Sequence, residues 1–232
     1  MDLPITDPLA HAVMQAIHKG DVARLRQLLA DHPALVTSRL IDQKGHARTL
    51  LHVATDWPGH FPAVAETIAV LIAEGADASA PMVGPHAETP LHWAASSNDV
   101  TALEALLDGG ADIEAPGAVF TNGTAMSDAV VFANWECARR LLARGAQTTL
   151  SQASGLGLLD RVIALGAGQP VPSAEEITGS FWHACRGGQR QTAEHLLSRG
   201  ANPHWIGWDH KTPSQVAAEA GHTGLAAWIA SL

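Results

Sequence analysis

Three polar side chains fall at one recurring position of this 232-residue sequence: Asp128 in TAMSDAV, Gln152 in TTLSQAS and His183 in GSFWHAC. Trp93 holds the same position in TPLHWAA, and Phe132 and Leu156 stand four residues beyond Asp128 and Gln152, on the same face if the segments are helical. An acid, an amide and an imidazole between aromatic and aliphatic walls have the makeup of a small-molecule pocket. In that setting Asp128 could accept a proton or orient a cation, and His183 could serve as general acid or base near neutral pH. Trp57 could close one end.

The position comes from a repeated phrase. TLLHVAT from Thr49, TPLHWAA from Thr89, TAMSDAV from Thr124, TTLSQAS from Thr148, GSFWHAC from Gly179 and TPSQVAA from Thr212 align on their first residue. The third residue onward is then His52, His92, Ser127, Ser151, Trp182 and Gln215, and the fourth is Val53, Trp93, Asp128, Gln152, His183 and Val216. In GSFWHAC the order of His and Trp is reversed relative to TPLHWAA, which moves His183 into the fourth row and Trp182 into the third.

These phrases need helices to present them. Gly-Ala pairs at Gly75, Gly110, Gly145 and Gly200 each follow an apolar run of helical spacing: AVLIAEGAD, EALLDGGAD, RRLLARGAQ and EHLLSRGAN. A Gly there ends a helix by taking the left-handed conformation. Thr caps the upstream helix, Pro fits its first turn, and small residues let two helices approach closely. The repeating unit reads as two helices joined by a short turn.

At TPLHWAASSNDVTALEALLDGGADIEA the sequence resembles the ankyrin repeat family in its divergent, bacterial-type form, whose signature includes the TPLHxAA phrase and a period of about 33 residues. The resemblance extends over nearly the whole chain, from a degenerate first unit at AIHKGDVARLRQLL (Ala16 to Leu29) to Thr212–Leu232. It implies an all-α fold: one solenoid domain over residues 1–232, with about seven helix-turn-helix units starting near 11, 49, 89, 124, 148, 179 and 212 and with short hairpin fingers. It further implies that His52 and His92 are structural, bonding backbone near the fingers, and that the fourth row faces a concave binding groove.

The chain departs from that pattern in two places. Thr49 to Gly75 is longer than Thr89 to Gly110, so DWPGHFP (Asp56 to Pro62) reads as an inserted loop. Gly145-Ala-Gln runs directly into Thr148 with no room for a finger, so a notch is expected there, followed by the connector GAGQPVPSAEEIT. Helices pack about 8–10 Å apart, which puts Asp128 and His183, two units apart, roughly 16–20 Å apart at the backbone. A ligand, Gln152 or water would have to span them.

Composition bounds the rest. A formal charge of -9, with no Lys/Arg cluster, disfavours nucleic acid and anionic membrane. No secretory signal and no run near the ~20 apolar residues of a membrane helix is seen, and Cys137 and Cys185 read as reduced thiols of a cytoplasmic protein. Cys185 reads as a small buried side chain. His52, Asp56 and His60 are interrupted by Pro58 and Gly59, so no metal and no cofactor is expected.

Two readings stand. One is a module whose groove binds a protein partner, with Trp57, Trp93, Phe132, Gln152, Leu156, Trp182, Trp205 and Trp208 as contact residues. Core packing is the rival role for Trp182, and packing between fingers for Trp205 and Trp208. The alternative is a small-molecule receptor or cofactor-free enzyme in the same groove, with Asp128 and His183 performing acid/base chemistry on a small organic substrate.

Overall fold

The computed structural model describes residues 2–232. Helix dominates, as expected, but the chain divides into two compact units, Met1–Ala146 and Gln147–Leu232. Their boundary lies in the Gly145-Ala-Gln run.

In the first unit, β1 (Asp2–Pro4) precedes α1 (Pro8–Lys19) and α2 (Val22–Asp31), a 3₁₀ turn at Pro33–Thr37, β2 (Arg39–Ile41) and β3 (Ala47–Arg48). Three helix pairs follow: α3 (Leu50–Ala54) with α4 (Val64–Ala73), α5 (Pro90–Ser96) with α6 (Val100–Asp108), and α7 (Ala125–Val131) with α8 (Trp135–Ala143). First helices stack in the order α1, α3, α5, α7 and second helices in the order α2, α4, α6, α8. β1 pairs in parallel with β2, which pairs antiparallel with β3. The β2–β3 hairpin is of the kind expected for a finger, but the addition of β1 was not expected from sequence; β1 is only three residues long, too short for a periodic signal, and Leu3 packs inward beside the fully buried Leu40.

The second unit contains α9 (Leu150–Gly155), α10 (Leu159–Gly166), α11 (Ala174–Arg186), α12 (Arg190–Ser198), α13 (Pro213–Glu219) and α14 (Thr223–Ala230). α11 packs on both α9 and α13, and its Phe181 and Trp182 lie in a core with Val162, Leu196 and Ile229. A Cβ on Gly187 would come within 2.1 Å of the Gly155 carbonyl oxygen. Glycine is what lets the end of α11 close on α9.

Local chemistry sets the helix ends. Gly75, Gly110, Gly145 and Gly200 all have positive φ. The following Ala76, Ala111, Ala146 and Ala201 each return an N–H to the last-turn carbonyl of Leu71, Leu106, Leu141 and Leu196, the bond that closes a Schellman end. The inserted loop is pinned in the first unit by Asp99: its Oδ2 accepts from His60 N at 2.6 Å and its Oδ1 from Ala102 N at 3.0 Å.

Two boundaries differ from the sequence reading. Thr149, not Thr148, caps α9, so Gln152 sits at the third helical position rather than the fourth. α11 does not begin at Gly179; Ser173 caps it through a box with Glu176, making AEEIT its first turn. The S-x-x-E spacing at Ser173 is a capping-box signature, and it outweighs the Pro/Gly character of the residues before it.

Leu106 is fully buried on α6. Leu106→Ala is expected to cost about 2–5 kcal/mol in equilibrium chemical unfolding; a loss under about 1 kcal/mol would contradict its placement in the core.

Candidate functional site

The third helical position carries a structural bond. In the first unit His52 Nδ1 accepts from Thr49 N at 3.2 Å, and His52 Nε2–H donates to the Glu88 carbonyl at 3.0 Å. His92 repeats this with Thr89 N at 3.1 Å and the Gly123 carbonyl at 3.2 Å. Each ring thus joins its own helix cap to the residue just before the next cap, Thr89 or Thr124. An imidazole with Nδ1 accepting and Nε2 donating is neutral. Burial agrees with this, pushing His52 down to about 4 and His92 down in the same direction.

In the second unit Trp182 does the same job with an indole. Its Nε1–H donates to the Lys211 carbonyl at 3.0 Å, and Lys211 immediately precedes the cap Thr212. Trp182 is 1% exposed, so it belongs to the scaffold and not to a binding surface. Gln152 is likewise engaged in scaffold, its Oε1 accepting from Thr149 N at 2.8 Å; Gln215 makes the equivalent bond to Thr212 N.

Asp128 is on α7 in the first unit and is 1% exposed, and its Oδ2 is buried without a hydrogen-bond partner. Burial, with the charge of Glu88 adding to it, pushes the carboxyl up to about 7. Glu88 itself is pushed up by burial and accepts from Trp93 Nε1 at 3.3 Å. Trp93 meets His52 edge-on at 4.9 Å and lines a cavity of about 360 Å³ with Ile5, Leu40, Asp42, His46, Arg48 and Met82. Sequence reasoning missed Glu88, although it lies directly before the cap Thr89, where a carboxylate faces the next repeat.

His183, on α11, is buried with Nδ1 lacking a partner, and burial, reinforced by Arg186, pushes it down to about 4. It is neutral at pH 7. Its ring lies 5.2 Å from Trp208 and 5.3 Å from Trp182. Asp128 therefore exchanges a proton near neutrality and His183 does so only in acid. Both side chains are packed inside their units, so a substrate would reach either only after its neighbours moved.

The remaining predicted contact residues separate by exposure. Trp57 is 83% exposed on the inserted loop, and Phe132 is exposed at the end of α7, in edge contact with Phe120 at 6.0 Å. Leu156 is half-buried at the end of α9. Trp208 is 61% exposed, Trp205 is half-buried, and their rings meet at 5.1 Å and 82°. These two line a cavity of about 210 Å³ with Glu175, Glu176 and Gly179. Among the described residues no helix is long and apolar enough to cross a membrane.

Two outcomes are expected. Trp182→Phe keeps an aromatic ring but removes the indole N–H, leaving the Lys211 carbonyl with only the Gly207 N–H at 2.9 Å, costing about 0.5–1.5 kcal/mol in chemical unfolding. Asp128 is protonated in the folded chain up to about pH 7, whereas the unfolded chain releases that proton near pH 4. Its stabilisation is therefore complete below about pH 4 and lost as pH rises toward 7. Asp128→Asn cannot ionise, so its stability relative to wild type should rise across that window; a flat difference would refute a buried, ionisable carboxyl.

The helix pairs, the Gly-ended second helices and the cap-to-cap bonds have a counterpart in a known family. Residues 63–152 match the description "Ankyrin repeats (3 copies)". No curated protein matches the chain. Residues 63–152 therefore form an ankyrin-repeat segment of three repeat copies.

Proposed function

We propose that the helix pairs form seven repeat units of a protein-binding ankyrin module in the cytoplasm, with contacts made by aromatic side chains left in solvent. Ankyrin repeats in general are protein-interaction modules. The observation that carries the reading for this chain is the exposure of Trp57 (83%), Phe120 (66%), Trp208 (61%) and Phe132 (47%). Val83, Ile163, Val171 and Ile206 are also exposed, but these four rings are the largest apolar side chains left in solvent. Aromatic surface that the fold does not use for itself marks a docking site, and Trp is enriched among residues that dominate binding energy.

Rigidity supports the same reading. Phe132 rests on Phe120, and Trp208 rests on Trp205, Trp182 and His183. Side chains already held in one orientation lose little rotamer entropy on association.

The test is capture of a partner from extracts of the source cells by the full chain and by Trp57→Ala, Phe132→Ala and Trp208→Ala. A stoichiometric protein should be retained by wild type and bound at least about 30-fold more weakly by one or more variants, the loss expected at a hot spot. Trp57→Ala and Phe132→Ala should leave the unfolding free energy within about 0.5 kcal/mol of wild type. Recovery of no stoichiometric protein, or recovery indifferent to all three substitutions, would sink the reading.

A further inference from the structure

In the second unit, Trp205 and Trp208 form two walls of the cavity of about 210 Å³, and Glu175 and Glu176 stand at its edge. At that size it lies below the roughly 300–1,000 Å³ of small-molecule sites, which suits one long side chain better than a whole ligand. The two indoles stand almost at right angles, 82° at 5.1 Å. Trp208 is further fixed by Trp182 at 5.5 Å and His183 at 5.2 Å. A Cβ on Gly179 would stand only 3.1 Å from Trp208 Cη2, so glycine at this point of α11 admits the indole against the helix. The corner is built before any ligand arrives.

The electrostatics of the corner select a cation. Indole faces carry negative potential and attract guanidinium or ammonium within about 6 Å. Glu176 is ionised at the rim: hydrogen bonds from Ser173 hold its carboxyl below the ordinary range, and its Oε2 accepts from Ser173 N at 2.8 Å. Glu175 is exposed beside it. The whole chain adds a formal charge of -9, which draws basic partners over longer range. The same unit already places guanidinium on indole twice: Arg190 over Trp228 at 4.0 Å and Arg186 over Trp182 at 5.5 Å. Planar guanidinium stacks on an aromatic face while its N–H groups reach a carboxylate, a combination that ammonium cannot match.

We propose that this Trp205–Trp208 corner, rimmed by Glu175 and Glu176, binds an arginine side chain of a basic segment in the partner protein. The inference rests on the protein-binding reading and names the chemistry of its partner. The guanidinium stacks on the exposed indole of Trp208, and Glu175 accepts its hydrogen bonds.

The probe is the peptide acetyl-Gly-Gly-Arg-Gly-Gly-amide titrated into the full chain, followed by the indole N–H resonances of Trp205 and Trp208. Citrulline and lysine versions serve as the neutral isostere and the non-planar cation. The arginine peptide should shift both indole resonances saturably and more weakly at higher salt. The citrulline peptide and Glu175→Gln should each weaken binding about tenfold, as expected for losing one charge-assisted contact. Trp208→Ala should abolish it, while Trp208→Phe, which keeps an aromatic face on the same scaffold, should retain a measurable part. Equal binding of the citrulline or lysine peptide, or a titration that leaves both indole resonances unmoved, overturns the proposal. A partner whose capture depends on Trp208 but is unchanged by Glu175→Gln and carries no essential arginine would also overturn it while leaving the protein-binding reading intact. Absence of any captured partner would instead remove that reading, with the peptide titration deciding the corner separately.

Discussion

The bond from a buried ring N–H of a first helix to the carbonyl just before the next cap is the interaction on which the rest of the structure depends. A helix of five to seven residues, such as α3 or α5, is too short to be stable alone. It survives because its buried polar groups are satisfied by the neighbouring unit. His52 to Glu88 and His92 to Gly123 do this with imidazole, and Trp182 to Lys211 does it with indole. The two rings share what the position requires: an N–H at the far edge of a flat side chain, at a depth where water cannot stand in. Trp lacks the Nδ1 acceptor with which His closes its own cap. In the second unit that function has moved upstream, to Ser173 and Glu176, and α11 is correspondingly longer.

Burial also decides which titratable groups carry charge. His52 and His183 are both pushed down to about 4, so each is neutral at pH 7 and opposes folding only in acid. Asp128 is pushed the other way, to about 7, and increasingly opposes folding as pH rises from about 4 toward 7. Burial is the first cause for all three, and the opposite directions follow from the opposite signs of the charged forms. Groups that look alike as proton carriers in sequence thus play different parts in the folded chain. Asp128 resembles a general acid in its titration, while its 1% exposure makes it an internal strain on folding.

The tryptophans divide between scaffold and surface. Trp182 is enclosed and bonded, whereas Trp208, held on its edge, is open to solvent. One buried indole thereby fixes the direction of an exposed one, and through it the geometry of the acidic corner. Surface chemistry in this unit is inherited from core packing: Gly179 sets how close Trp208 comes to α11, and Ser173 sets where Glu176 stands.

Local pattern alone determined much of the molecule. The Gly-Ala ends of the second helices, most of the Thr caps and the loop nature of Asp56–Pro62 were readable, because each depends on residues adjacent in sequence or on a phrase that recurs, while the structural role of His52 and His92 came from the family resemblance that this phrase carries. The displacement of His183 by Trp182 was readable too, since it is an exchange within one aligned phrase. What tertiary structure decided is everything that depends on burial or on partners distant in sequence. Gln152 was assigned one position too far along because Thr148 and Thr149 are equally good caps, and only packing selects Thr149. The pairing of β1 with β2 joins Asp2 to Arg39, a contact no periodicity announces. Whether Asp128 and His183 face water or interior, and that Trp205 and Trp208 meet at a right angle beside Glu175, follow from side chains converging from several elements. A sequence specifies those side chains, and the fold alone sets their distances and their solvent.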